Sequence, residues 1–195
     1  DVGSYRFTVN DSVYTNVLKA AVRMYYYQRI NDAKELPYAD EGYEDDAAFV
    51  GSNQDTECRA LWDPENADLY KDLSGGWMDA GDQNKYVTFA EGAVHELLYA
   101  YWRNTSAFTD DYNIPESGNG IPDILDEVMY ELDWVKKMQE MPDGGVHIKM
   151  GNINHNSVSP LSNDTRTRYY GVKCSSSAIA AAGMFAHAAY VLSEF

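Results

Sequence analysis

Ser74-Gly75-Gly76-Trp77-Met78-Asp79-Ala80-Gly81-Asp82-Gln83-Asn84-Lys85-Tyr86 is the stretch of this 195-residue sequence that decides its reading. Two carboxylates, Asp79 and Asp82, stand three residues apart, after a glycine-rich turn and ahead of a strongly helical pattern. That order places both side chains at a mouth in the backbone near a helix N-terminus, where they converge on one small volume. The positive end of a helix favours ionised carboxylates, so both are expected to act as bases and not as acids. Helix capping plus a turn would use the same residues. Gly75-Gly76-Trp77 before the pair and Lys85-Tyr86 after it weigh toward chemistry.

Outward from this stretch the periodicity is helical. The spacing predicts a first helix from about Ser12 to Arg29, capped by Asp11 or Ser12, with Val13, Val17, Ala20, Ala21 and Met24 on its inner face. A second covers about Asn84 to Trp102, with Tyr86, Ala90, Ala93, Val94, Leu97 and Tyr101 inward. A third opens at Ile121-Pro122-Asp123, where proline suits the first turn, and runs through Ile124, Leu125, Val128, Leu132, Val135 and Met138 to about Met141. The fourth, about Ser175 to Glu194, is small and apolar on every side and so expects protein all around it. Long polar loops near 31–83, 103–120 and 142–174 join these helices, and loops of that length are usually functional. Tyr5, Phe7 and Val9 alternate with polar neighbours, so residues 1–10 read as a short strand.

Composition narrows the class. The net charge is -16 and the 15 Lys and Arg are scattered, which argues against nucleic acid. No apolar run reaches the roughly 20 residues of a membrane span, and Asp1-Val2-Gly3-Ser4 carries no signal pattern. With two cysteines, Cys58 and Cys174, there is no disulfide scaffold; pairing and free thiols both stay open. Sixteen Tyr and four Trp are an excess that favours a carbohydrate ligand, because their flat faces stack on sugars. Packing at helix boundaries accounts for many of them.

A fixed, ionised carboxylate that holds a water is one half of a stereochemistry-inverting glycosidase. The other half, a protonated carboxylic acid, cannot be picked out by pattern here. At this point the residues resemble glycoside hydrolase family 9, the inverting cellulases. Tyr25-Tyr26-Tyr27-Gln28-Arg29, the stretch Ser74 to Tyr86, Gly120-Ile121-Pro122-Asp123-Ile124-Leu125-Asp126-Glu127, Pro142-Asp143-Gly144-Gly145-Val146 and Ser175-Ser176-Ser177-Ala178 match in order. The resemblance implies an all-α fold, an incomplete (α/α)6 barrel with long functional loops. Residues 11–195 would form the N-terminal part of that catalytic domain, and 1–10 the tail of a preceding immunoglobulin-like domain.

The same resemblance implies hydrolysis of β-1,4-glycosidic bonds in cellulose or related β-glucan. Asp82 would be the general base and Asp79 would help hold the water. The general acid would be a glutamate in the remaining C-terminal part of the barrel, outside this chain. Trp77, Tyr86 and His155 are candidates to border the sugar, and His147 shares the loop with His155. A glucosaminide- or xyloglucan-cleaving member and a non-catalytic glycan-binding fragment are the alternatives. The setting would be secreted, periplasmic or cell-surface. No cofactor is expected to be required. Zinc is not expected, because Ile30, Arg59 and Ile148 stand near three ligand positions and only Cys58 matches. Calcium occurs in the family, and Asp40, Glu41, Glu44, Asp45 and Asp46 could offer oxygens, though a solvated acidic loop is the simpler reading. Asp123, Asp126 and Glu127 read as dipole complements and salt-bridge partners, and His95 and His187 as packed or satisfied histidines.

Overall fold

A computed structural model describes residues 3–141, 143–155 and 157–195. Four helices carry it: α1 (Thr15–Gln28), α2 (Val87–Arg103), α3 (Asp123–Lys137) and α4 (Ser175–Val191). In α1, α2 and α3 apolar residues recur every three to four positions, and α3 keeps that spacing best, whereas α4 is apolar all round. Ile124, Leu125, Val128, Leu132, Val135 and Met138, the expected inward face, are all buried. Helix α2 lays Val94, Leu97, Leu98 and Tyr101 into the same core, against Ala180, Ala181, Met184 and Ala188 of α4. Small residues on α4 let the two backbones approach, with Gly183 facing the His95 ring.

The structure corrects the sequence-based expectations in several places. Helix α1 starts later, after Tyr14, without a side-chain cap from Asp11 or Ser12. Its expected inner face is outward: Val13, Val17, Ala20, Ala21 and Met24 are exposed, and Val22 and Tyr26 are buried instead. The tyrosine-rich last turns supply the buried side because Tyr26 packs its ring beside the Arg29 guanidinium and the Lys34 ammonium. Residues 3–10 join no ladder, and Tyr5, Phe7 and Val9 are exposed, so their alternation makes no strand there. Helix α4 is not enclosed on all sides, since Ile179 and Tyr190 are exposed. By length and composition Ser175–Glu194 is apolar enough to cross a membrane, which the run-length reading above did not allow; a barrel's core helix meets the same test.

A small sheet joins the loops. Its strands are β1 (Arg59–Ala60), β2 (Lys85–Tyr86), β3 (Lys149–Gly151) and β4 (Tyr169–Tyr170), in the order β1-β4-β3-β2. Strands β1 and β4 are parallel, and the other pairs are antiparallel, with Tyr86 opposite Lys149 and Met150 opposite Tyr170. The sheet therefore ties the stretch after Asp82 to the loop that carries His155.

Beneath it lies a fully buried charge cluster. Asp55 Oδ2 receives Lys85 Nζ at 3.0 Å, and its Oδ1 receives Arg168 Nε at 2.8 Å, with all three side chains at 0% exposure. Lys85 also donates to the carbonyls of Leu73 and Gly75, and Arg168 to that of Gln83. Burial alone would raise the Asp55 carboxyl; the two cations outweigh it and hold it below the ordinary value. Its contribution is thus present at neutral pH and is lost as pH falls below the carboxylate range. Asp55→Ala would leave two buried cations unpaired, and the expected loss is about 3–5 kcal/mol in urea unfolding at pH 7. A loss below about 1 kcal/mol would mean the loops are held by other contacts.

Candidate active site

The two aspartates sit in a turn that closes by an Asp79 N–H bond to the Asn84 carbonyl at 2.8 Å. Ahead of it, Gly75 and Gly76 take φ of +89° and +77°. Gly76 is also sterically required, since a Cβ there would lie 2.6 Å from Trp134 Cγ. Strand β2 separates the turn from α2, so neither carboxylate caps the helix, and the helix end is not what sets their ionisation.

Local hydrogen bonds do that instead, and they divide the pair. Asp82 Oδ2 accepts the Tyr86 hydroxyl at 2.7 Å and Asn84 Nδ2 at 3.2 Å. His155 Nδ1 lies 3.2 Å from the same oxygen, where it can only donate. Burial pulls the Asp82 carboxyl up, but the Tyr86, Asn84 and His155 donors prevail and hold it below the usual range. Asp79 moves the other way, raised by burial and then by the Asp82 charge. The helix end therefore does not treat the two alike: donors favour the ionised form of Asp82, while burial and the Asp82 charge work against it at Asp79.

Asp79 opens onto a cavity of about 210 Å³ lined by Tyr25, Gln28, Trp77, Met78, Tyr86 and Phe89, among others. The carboxamide oxygen of Gln28 is buried without a hydrogen-bond partner. Trp77 lines this cavity but is only 6% exposed, because its ring packs on Tyr25 with centroids 4.6 Å apart. Its indole N–H donates to Glu127 Oε2 at 3.2 Å and its backbone N–H to Glu131 Oε2 at 2.6 Å. Burial pushes Glu127 up to about 7, against the pull of Arg29, and Glu131 up to about 8. Both lie under Trp77 and hold the turn from beneath.

Of the residues singled out in the sequence, the fold brings Asp79, Asp82, Tyr86, Trp77 and His155 together. His155 is 68% exposed at its side chain. His147 does not join them: it is buried, with Nδ1 2.7 Å from the Gly171 carbonyl. His95 and His187 pair with each other, Nδ1 to Nδ1 at 2.8 Å, on the α2–α4 surface. Asn84 and Lys149 were missed. Asn84 is fully buried and anchors Asn152 through its Oδ1, and Lys149 Nζ lies 3.4 Å from the Tyr86 hydroxyl. Asn84 stands between the aspartates and the helix, where polarity reads as loop. Lys149 is brought in only by strand register.

In the run 40–46, Asp40 is taken by Arg23 and Tyr27, Glu44 by the Gly42 N–H, and Asp45 by Ser162. Another trio gathers instead: ligand oxygens of Asp110, Asp123 and Asp126 lie within 4.8 Å of one another. Asp123 Oδ1 and Asp126 Oδ2 are buried and, among the described residues, accept no hydrogen bond. Burial and the neighbouring acids Glu116, Asp123 and Asp110 raise Asp126 to about 6, against the pull of Asn119. An all-oxygen set with orphaned buried acceptors fits a hard cation such as calcium. Among the described residues Asp123 and Asp126 make no salt bridge, unlike Glu127, which pairs with Arg29 at 3.1 Å. Cys58 and Cys174 are free thiols, and burial pushes the Cys58 thiol up, away from the thiolate a metal needs.

Comparison with known proteins gives the family. The family model for Glycosyl hydrolase family 9 matches residues 14–195. Cellodextrinase of Butyrivibrio fibrisolvens is 32% identical over 197 aligned positions, covering 98% of this chain and 34% of that protein. A xyloglucan-specific endo-β-1,4-glucanase of Bacteroides ovatus is 33% identical, covering 75% and 25%. Endoglucanase C of Cellulomonas fimi is 34% identical, covering 71% and 14%. Among solved structures, a metagenome-derived glycoside hydrolase family 9 endoglucanase superimposes with a TM-score of 0.80 at 33% identity, over 94% of this chain and 32% of that one. The chain thus spans about a third or less of the length of these relatives. With four helices arranged as in those enzymes and the aspartate turn at its sheet edge, the chain belongs to glycosyl hydrolase family 9 and forms the N-terminal part of its (α/α)6 barrel.

Proposed function

We propose that this chain supplies the base side of an enzyme that hydrolyses β-1,4-glycosidic bonds in β-glucan with inversion. The observation that carries the reading is the division of the two aspartates, one held ionised by donors and one left open on the cavity. Asp82 takes a proton from water on one face of the anomeric carbon, and Asp79 orients that water. A carboxylic acid from the remaining part of the barrel protonates the leaving oxygen on the other face, at the separation of about 6.5–9.5 Å that inversion requires. The sugar would lie over the cavity between Phe89 and the edge of Trp77. The relatives' names support β-glucan and leave cellulose, cellodextrin and xyloglucan as substrates to be told apart by a substrate panel. A polymeric substrate supports action outside the cytoplasm: secreted, periplasmic or at the cell surface.

The first test uses the protein carrying the complete barrel. Asp82→Asn is expected to lower kcat on cello-oligosaccharides by about 100- to 10,000-fold with the fold retained. The wild-type enzyme is expected to release the α-anomer first, read by proton NMR during early hydrolysis. Wild-type turnover in the variant, or the β-anomer first, would overturn the assignment.

Calcium, where bound, would be held by Asp110, Asp123 and Asp126, and its chemistry there is structural: it neutralises buried carboxylates at the start of α3. Its ligands must be ionised, so affinity should fall as pH drops below about 6, where Asp126 protonates. The expected result is a calcium-dependent rise in Tm at pH 7.5 that shrinks at pH 5 and is absent in Asp126→Asn. An equal rise in the variant would place the ion elsewhere.

A further inference from the structure

The two oxygens of Asp82 stand in unlike settings. Oδ2 is occupied by Tyr86, Asn84 and His155, and among the described residues Oδ1 meets only the Asn84 backbone N–H, at 3.3 Å. Among the three side-chain donors the Tyr86 hydroxyl makes the shortest contact. Strand pairing fixes where Tyr86 stands, opposite Lys149 on β3. Its hydroxyl oxygen receives Asn84 Nδ2 at 3.3 Å and Lys149 Nζ at 3.4 Å. The Lys149 ammonium also lies 4.8 Å from the centre of the phenol ring. With both acceptor positions filled, the hydroxyl proton has one direction left, toward Asp82.

We propose that Tyr86 is a positioning residue of the base: it occupies Oδ2, so that the proton of the attacking water is taken at Oδ1, and it keeps the carboxylate ionised. This rests on the role proposed for Asp82 and changes the one expected for Tyr86, from sugar contact to control of the base. The bond is charge-assisted, oxygen to oxygen, and favours the ionised acid. The Lys149 charge and the His155 N–H also favour ionisation of Asp82. The Tyr86 phenol is raised by burial and by Asp82, so it keeps its proton.

Tyr86→Phe removes the donor and keeps the ring, which packs on Phe89 with centroids 4.8 Å apart. The experiment is made on the protein carrying the complete barrel, labelled with ¹³C at the aspartate carboxyls. The Asp82 resonance, assigned by its loss in Asp82→Asn, is titrated in wild type and in Tyr86→Phe. Its midpoint is expected to rise by about one pH unit in the variant. Removal of a donor that stabilises the charged form means protonation at higher pH, so the acid limb of kcat/KM moves up by the same amount. At the optimum kcat is expected to fall several-fold while KM stays the same. An unmoved midpoint would overturn the proposal, and so would a raised KM with unchanged kcat, which would make Tyr86 a sugar contact. A moved midpoint in a protein without glucan hydrolysis would uphold the Tyr86–Asp82 coupling and sink the glycosidase reading instead.

Discussion

The buried ion cluster of Asp55, Lys85 and Arg168 is the constraint on which the rest depends. Each residue comes from a different long stretch: the loop after α1, the strand after the aspartate turn, and the segment before α4. None is exposed, so none can exchange its partners for water. A buried charge without its counter-charge is far more costly than a lost surface pair, so the three stretches must meet or the fold pays heavily. Lys85 spends its remaining donors on the carbonyls of Leu73 and Gly75, which fixes the entry to the turn. Arg168 spends one on Gln83 within the turn. Long loops that would otherwise wander become one rigid edge.

The turn is held a second time from below, by helix α3. Glu127 and Glu131 lie one helical turn apart and take the indole and backbone N–H groups of Trp77. Burial biases both toward the neutral form, up to about 7 and about 8. Glu127 also pairs with Arg29, which forks onto Glu116 with two contacts of 2.9 Å. Glu116 belongs to the loop that gathers Asp110, Asp123 and Asp126. The end of α1, the acidic loop and the aspartate turn therefore share one buried polar network, and none of the three can shift without disturbing another.

What could be read in the sequence follows from what a pattern can carry. Helix α3 was legible because its apolar residues keep one face for four turns, and α4 because small apolar residues run without interruption. The small sheet was not, since strands of two or three residues hold no alternation to detect. On α1 the stripe Val13, Val17, Ala20, Ala21 and Met24 drew the reading, while Tyr26, whose ring is apolar and whose tip is polar, is what the core takes. The aspartate motif gave the site's address. Its electrostatics depend on Tyr86, Asn84 and His155, and His155 arrives from a loop seventy-three residues away. Asp123 and Asp126 looked like helix-start acids; burial, invisible in sequence, makes them candidates for a metal instead.

The division of labour between the aspartates needs no difference in residue type. Both are carboxylates in one turn, and their mutual repulsion alone would raise both. The symmetry is broken by where strand β2 begins. Asn84 and Tyr86, two and four residues after Asp82, direct their donors at Asp82, because the turn folds back through the Asp79–Asn84 bond. Asp79, on the far side of that bond, faces the cavity and feels mainly burial and its neighbour's charge. A base must be ionised before its substrate water arrives, and the donors gathered on Asp82 favour that form. The turn closed by Asn84, with Tyr86 just beyond it and His155 brought in from its own loop, sets the two aspartates apart.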